Sequence, residues 1–282
     1  MKPTKRLRQL LAQPALIRAP GVHDAFSARV AVQAGAECLF LGGFGATAST
    51  LGMPDLSLLT MTEMAEAIRR ACGAIDVPLI GDADTGYGDR HQIARTVREF
   101  ERAGAAGLLI EDQVFPKRCG HFPGKQIVSI EEMLERLDAA LQARGDDDFV
   151  IIARTDARAV DGLDLAIMRG QRFAEAGADM VFVEAPKTAE ELRRVASEID
   201  RPQLANMLTG GQTPILAADE LEQLGFRIAA YPVESLMVSA WAIDRMVKTL
   251  LREGRIDGLT DEMLSFAELK DLLGIETFLR GR

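Results

Sequence analysis

The chain has 282 residues, 48% of them hydrophobic and 27% charged, with a formal net charge of -9 at pH 7. That length can bury a large core and falls within the range of a one-unit α/β barrel. The acidic balance excludes a nucleic-acid or anionic-membrane surface, since both need excess Lys and Arg, and no apolar run is long enough to cross a bilayer.

Met1 to Arg18 is basic and partly apolar, but Pro14 and Arg18 interrupt it and no small-residue cleavage pattern follows. It is expected to be the first helix of a mature cytoplasmic protein rather than a secretory signal. Short apolar runs then recur, predicting strands over Leu16 to Arg18, Cys38 to Leu41, Pro78 to Gly81, Gly107 to Ile110, Phe149 to Ala153, Met180 to Val183, Gln203 to Ala205 and Arg227 to Ala230. Helical segments separate them, and several end in a glycine (Gly35, Gly104, Gly177, Gly225) just before the next run. Glycine there supplies the left-handed residue that closes a helix. Eight near-continuous apolar strands alternating with helices predict a (β/α)8 TIM-type barrel, because parallel strands are buried on both faces and need helical crossovers. A doubly wound open sheet is the alternative, but Ala19 to Asp24 is not the phosphate-binding glycine fingerprint such a sheet usually carries. Beyond the eighth strand, Glu234 to Glu253 reads as a long helix. Arg255 to Arg282 adds helical pieces with Met263, Phe266, Leu269 and Leu273 on one face, suited to an oligomer contact. The expectation is one barrel domain over 1-282, with 234-282 as its last helix and extension.

Three cysteines lie far apart, which suits a reducing compartment and gives no disulfide framework. Cys38 reads as core and Cys72, near a helix end, as a small structural hydrophobe. Cys119 sits in Lys117-Arg118-Cys119-Gly120-His121, where cationic neighbours would stabilise a thiolate. The bland alternative is a loop thiol with solvated neighbours.

In barrels the active site forms at the C-terminal strand ends, and ionisable residues recur there. The third strand leads into Asp82-Ala83-Asp84, the fourth into Glu111-Asp112, the fifth into Arg154-Thr155-Asp156, the sixth into Glu184 and the seventh into Asn206. Alternation puts Asp82 and Asp84 on one side. Converging carboxylates with an all-oxygen donor set favour a hard cation such as Mg2+, with Mn2+ as a substitute, whereas zinc would want more sulfur and imidazole than Cys119 and His121 provide. The competing reading is that each acid caps the next helix.

The chain resembles the isocitrate lyase and phosphoenolpyruvate mutase superfamily, in its short-chain lyase branch. The resemblance rests on Leu51 to Asp55, Asp82 to Gly86, Glu111 to Gln113, Lys117 to His121, Ala153 to Asp156, Val183 to Pro186, and Asn206 with Thr213-Pro214. It implies a Mg2+-dependent carbon-carbon lyase, a homotetramer that exchanges C-terminal helices, acting on a small-molecule carboxylate without nucleic-acid or membrane partners. Carried over, it implies that Asp82 binds the metal and that Asp55, Asp84 and Glu111 hold its water shell. Arg154 and Asn206 would hold substrate oxygens, Gly120 and His121 would bind the leaving carboxylate, and Glu184 would position groups. Cys119, on a loop that closes over the substrate, would protonate the carbon left by cleavage. The base stays open between a metal-bound hydroxide and a carboxylate such as Glu184.

Three departures stand out. Gly42, in Leu41-Gly42-Gly43-Phe44-Gly45, replaces a serine that binds the keto-acid carboxylate, leaving the backbone amides of that stretch to do so. Phe40 replaces a tyrosine, and Thr209 replaces a glutamate in the substrate-side pocket. Phe115, Phe122, Pro123 and Leu208 are expected pocket walls. The leading expectation is cleavage of a substituted 2-hydroxy acid of the 2-methylisocitrate or dimethylmalate type to a 2-keto acid such as pyruvate. An oxaloacetate-type decarboxylase or phosphonate-processing enzyme is the alternative within the superfamily, and a non-catalytic keto-acid-binding protein the alternative outside enzymes.

Overall fold

The apolar runs become strands in the computed structural model, which describes residues 1-120, 122 and 124-281. They are β1 Ile17–Pro20, β2 Leu39–Leu41, β3 Leu79–Asp82, β4 Gly107–Glu111, β5 Val150–Thr155, β6 Met180–Val183, β7 Leu204–Asn206 and β8 Ile228–Tyr231. Strands β2 to β6 pair in chain order, and β8 pairs between β1 and β7, all in parallel. Parallel bridges from Gly21 to Phe40 and from Val181 to Gln203 join the two groups at both seams. The sheet therefore closes into a barrel, and the open-sheet alternative falls.

Period-2 alternation divides each strand between two apolar layers. Phe40, Ile80, Leu109, Val150, Ile152, Met180 and Phe182 fill the barrel interior. Leu39, Leu41, Leu79, Leu108, Ile110, Ile151, Val181 and Val183 face the surrounding helices, together with Ile68, Phe100, Leu137 and Phe173 from those helices. The first helix, Pro3–Leu11, sends Leu7 into the interior cluster and its Arg8 donates to the carbonyls of Asp148 and Phe149 just before β5. It thus plugs the end of the barrel opposite the site. The glycines read as helix ends do adopt left-handed backbone, with φ of +95° at Gly35 and Gly104.

The chain divides into two compact units, Met1–Glu234 and Ser235–Arg282. The helix Glu234–Glu253 has the expected bounds, followed by a 3-10 turn at Asp257–Glu262 and helices at Phe266–Leu272 and Ile275–Leu279. Ser265 caps the first of these with Glu268 in reciprocal bonds. Among the described residues no helix is long and apolar enough to cross a membrane.

Candidate active site

Strands β3 and β4 deliver an acidic cluster. Asp82 ends β3, and its carboxylate accepts from the amides of Gly43 and Asp84, both at 3.0 Å. Gly43 opens the helix Gly43–Leu51, and a Cβ there would come within 3.2 Å of both Asp84 Oδ1 and Lys117 Nζ. Glycine is what lets this helix start lie against the charges. Lys117 Nζ lies 2.7 Å from Asp55 Oδ2 and 2.7 Å from Asp84 Oδ1, with its side chain 3% exposed. Glu111 ends β4 fully buried, and its Oε1 has no hydrogen-bond partner among the described residues. Burial pushes the Asp84 carboxyl up to about 7, with Asp82 and Asp55 adding to the rise and Lys117 opposing it. Burial likewise raises Glu111 well above the usual carboxylate range, against the pull of Arg154. Four carboxylates here share one ammonium.

Strands β5 to β7 deliver carboxylates already matched by cations. Register sets Arg154 between Glu111 of β4 and Phe182 of β6, and its guanidinium stacks 5.3 Å from the Phe182 ring centre. It donates to both oxygens of Asp156 at 2.9 and 3.1 Å, and lies 3.2 Å from Glu184 Oε2 and 3.3 Å from Glu111 Oε2. The Asn206 amide donates to the Glu184 carboxylate at 3.3 Å. Lys125 Nζ reaches Asp156 Oδ1 at 2.6 Å. Burial alone would raise Asp156, but Arg154 and Lys125 outweigh it and hold the carboxyl down to about 2. Beneath this layer Asp112 accepts from the Thr155 hydroxyl, the Asp156 amide and Arg169, tying β4 to β5.

A cavity of about 160 Å³ opens between the two halves, and Cys119 and Gly120 lie along it. The structure gathers Gly42, Gly43, Phe44, Asp55, Asp82, Cys119, Gly120, Arg154, Glu184 and Asn206 on this one cavity. Cys119 is half-buried there, and its loop is tied down on the amino-terminal side. The Gln113 amide clasps Arg118 through both its backbone groups, and the Ser57 hydroxyl donates to the Lys117 carbonyl. Phe122 and Leu208 are walls, as expected. Phe115 is not, being 61% exposed and lining a separate groove. His121 and Pro123 lie outside the described residues.

Two expectations need correction. Lys117 does not serve the thiol, because its ammonium is taken up by Asp55 and Asp84. Thr209 is exposed and does not line the cavity. Its amide instead donates to Glu234 Oε1 at 2.7 Å, and the other oxygen of Glu234 accepts from Val233. A carboxylate thus stands beside position 209, supplied from the first residue of the helix after β8. The reading that each strand-end acid caps the next helix also falls, since the helices that follow β3, β4 and β6 are capped by Asp89, Ser129 and Thr188.

Among the described residues, four other than glycine adopt left-handed backbone, with φ of 59° at Ser57, 47° at Asp84, 64° at Tyr87 and 59° at Ala185. All follow β2, β3 or β6 at the site end of the barrel. Each such residue costs about 1–2 kcal/mol, and strain of this kind concentrates at functional sites.

Among the described residues no three His, Cys, Asp or Glu side chains form a ready-made metal cage. A hard, hydrated divalent cation needs less, since it binds through one or two carboxylates and keeps several waters. Asp82 and Asp84, beside the unpartnered Glu111 oxygen, offer an all-oxygen donor set with surplus negative charge. They fit such an ion.

Residues 7–251 match the family model for phosphoenolpyruvate phosphomutase. The chain belongs to that family. It is 44% identical to the 2,3-dimethylmalate lyase of Eubacterium barkeri, over 98% of this chain and 96% of that one. It is 40% identical to the 2-methylisocitrate lyase of Aeropyrum pernix, over 98% and 89%. Among solved structures, an oxaloacetate acetylhydrolase bound to 3,3-difluorooxalacetate superposes with a TM-score of 0.93 at 34% identity, covering 99% of this chain and 96% of that one. A phosphonopyruvate hydrolase, solved with oxalate and Mg2+, superposes with a TM-score of 0.89 at 29% identity, covering 99% and 98%. The resemblance read from the motifs therefore holds, and with it the TIM-type barrel. The chain is a carbon-carbon lyase of a superfamily whose members use Mg2+.

Proposed function

We propose that this lyase cleaves a substituted 2-hydroxy di- or tricarboxylate of the dimethylmalate or 2-methylisocitrate type, releasing a 2-keto acid such as pyruvate and a second carboxylic acid. One observation carries this reading: a thiol, Cys119, lies on the same small cavity as Arg154, Glu184 and Asn206. Cleavage passes the hydroxyl proton to a base such as the Glu184 carboxylate on the cavity, turns the hydroxyl carbon into a keto carbon, and leaves the electron pair on the carbon beside the departing carboxylate. Cys119 donates its Sγ proton to that carbon, as a general acid does. Arg154 and Asn206 hold substrate oxygens, with Glu184 bonded to both and fixing their orientation. Gly42, Gly43 and Phe44 open a helix, and with the Gly43 amide engaged by Asp82 the amides of Gly42 and Phe44 receive the keto-acid carboxylate, since helix starts favour anions. Gly120 and His121 take the leaving carboxylate. Mg2+, or Mn2+ in its place, supplies Lewis-acid stabilisation of the developing oxyanion when bound. Asp82 would hold the ion, with Asp55, Asp84 and Glu111 as the carboxylates around its waters.

The protein is cytoplasmic in this reading, and four copies assemble by exchanging residues 234-282 around single barrel domains. The test is release of pyruvate or glyoxylate from 2,3-dimethylmalate, 2-methylisocitrate, isocitrate, 2-methylmalate and oxaloacetate, with Mg2+ and then with chelator. Metal-dependent turnover of one hydroxy acid, lost in Cys119→Ser, is the expected result. Turnover of oxaloacetate alone would overturn it.

A further inference from the structure

The Cys119 loop has two arms, and the mechanism above gives Lys125 on the second no role. The first arm is anchored by Lys117, Ser57 and Gln113. On the second arm Lys125 turns inward, its side chain 3% exposed. Its ammonium donates to two acceptors, the Gly120 carbonyl and Asp156 Oδ1. Burying an ammonium is costly unless it is paired and hydrogen-bonded, so a lysine drawn this far in holds its place through those two bonds.

The two acceptors belong to different parts of the site. Gly120 adjoins the thiol residue, and its backbone lies so close to the barrel that a Cβ would strike Arg154 and Glu184. Asp156 is the carboxylate that grips the Arg154 guanidinium through both oxygens. One ammonium therefore spans the joint between the loop carrying Cys119 and the ion pair that aims Arg154.

We propose that Lys125 is a positioning residue that couples closure of the Cys119 loop to the orientation of Arg154. With the loop seated, Lys125 completes the charge balance of Asp156. With the loop lifted, Asp156 keeps Arg154 as its cationic partner and the guanidinium loses part of its constraint. The thiol and the guanidinium thus reach their working positions together. The proposal takes its catalytic consequence from the lyase reading, but the latch itself does not depend on which acid is cleaved.

The test uses the full-length protein with Lys125→Met, which keeps the length and removes the charge, and Lys125→Arg, which keeps the charge. Two readouts are taken: the rate of Cys119 alkylation by iodoacetamide, resolved by peptide mass spectrometry, and kcat and KM on the substrate found above. Burial pushes the thiols of Cys38 and Cys72 up to about 12, so they serve as slow internal references. Losing a charge-assisted latch should speed Cys119 alkylation about ten- to a hundredfold in Lys125→Met. kcat should fall by a similar factor while KM changes by less than about threefold, with Lys125→Arg recovering part of both, as expected when loop closure sets turnover. Alkylation within about twofold of the unmodified chain would overturn the proposal, since a latch worth a charged hydrogen bond cannot be that silent. Failure of both variants to fold would also overturn it, by making Lys125 a structural residue. If no tested acid is turned over, the lyase substrate reading fails while the alkylation rates still decide the latch.

Discussion

Asp84 and Asp156 both stand just beyond a strand end and both are buried, yet the first is pushed up to about 7 and the second held down to about 2. Burial raises both, so burial does not separate them. Partners do. Asp156 faces the two oxygen-directed bonds of Arg154 and the ammonium of Lys125. Asp84 shares a single ammonium with Asp55 and lies beside Asp82. The β5 to β7 half of the site is neutralised by the chain itself, whereas the β2 to β4 half is left with excess negative charge. The proposed reaction draws on that asymmetry, with a divalent cation at the acidic half and the organic acid's oxygens at the other.

Removing the neutraliser breaks the comparison most severely. Arg154→Met leaves Glu111, Asp156 and Glu184 facing one another in a buried site, and should cost about 3–5 kcal/mol in urea unfolding, as loss of one member of a buried pair does. Its lyase activity should be undetectable in the keto-acid assay. Cys119→Ser touches neither half's charge balance. It should lower kcat by about 10²- to 10⁴-fold, the usual worth of a proton donor, with an unchanged melting curve.

Asp84→Asn sharpens the contrast through pH. In the folded chain Asp84 keeps its proton up to about 7, whereas its ordinary value is 3.8. Between those values the folded state binds more protons than the unfolded state, so this residue's contribution is favourable at low pH and is lost as pH rises through 7. In chelator at pH 8 the Asn variant should therefore melt higher than the unmodified chain, by about 2–4 °C per kcal/mol recovered. Added Mg2+ should narrow the gap by stabilising the unmodified protein, and its apparent affinity should rise between pH 6 and 8 as Asp84 releases its proton. The smallest effect belongs to Glu234→Gln. A weaker acceptor for the Thr209 and Val233 amides should cost about 0.5–1.5 kcal/mol in stability. It should appear as a modest rise in KM, because Leu208 and Val233 line the cavity.

Much of this architecture was readable from the residues, because apolar runs buried on two faces have few other solutions. The ends of β2 and β6 match the apolar runs, but those of the other strands lie further on. Asp82, Glu111, Thr155, Asn206 and Tyr231 belong to β3, β4, β5, β7 and β8, but a search for apolar runs stops before them. The polarity that hides them is the polarity that makes the site. Convergence of Arg154, Glu184 and Asn206 followed from strand order, since neighbouring strands end side by side. The destinations of Lys117 and Lys125 did not follow, because a lysine on a loop can reach in any direction and only the folded backbone selects its carboxylate. Glu234 was missed for a similar reason. It lies 25 residues from Thr209, and only closure of β7 against β8 brings the two together.

The left-handed residues around the site show where natural drift and protein engineering have room. At Asp84 the strain is inseparable from the charge, and relieving it with glycine would remove a carboxylate the acidic half uses. Ala185 has the same backbone and no side-chain chemistry, and its amide bond to Glu184 Oε1 survives any substitution other than proline. Glycine there releases strain of about 1 kcal/mol, less its own entropic cost. Strain at Ala185 can thus be relieved without loss of a charge, whereas strain at Asp84 cannot.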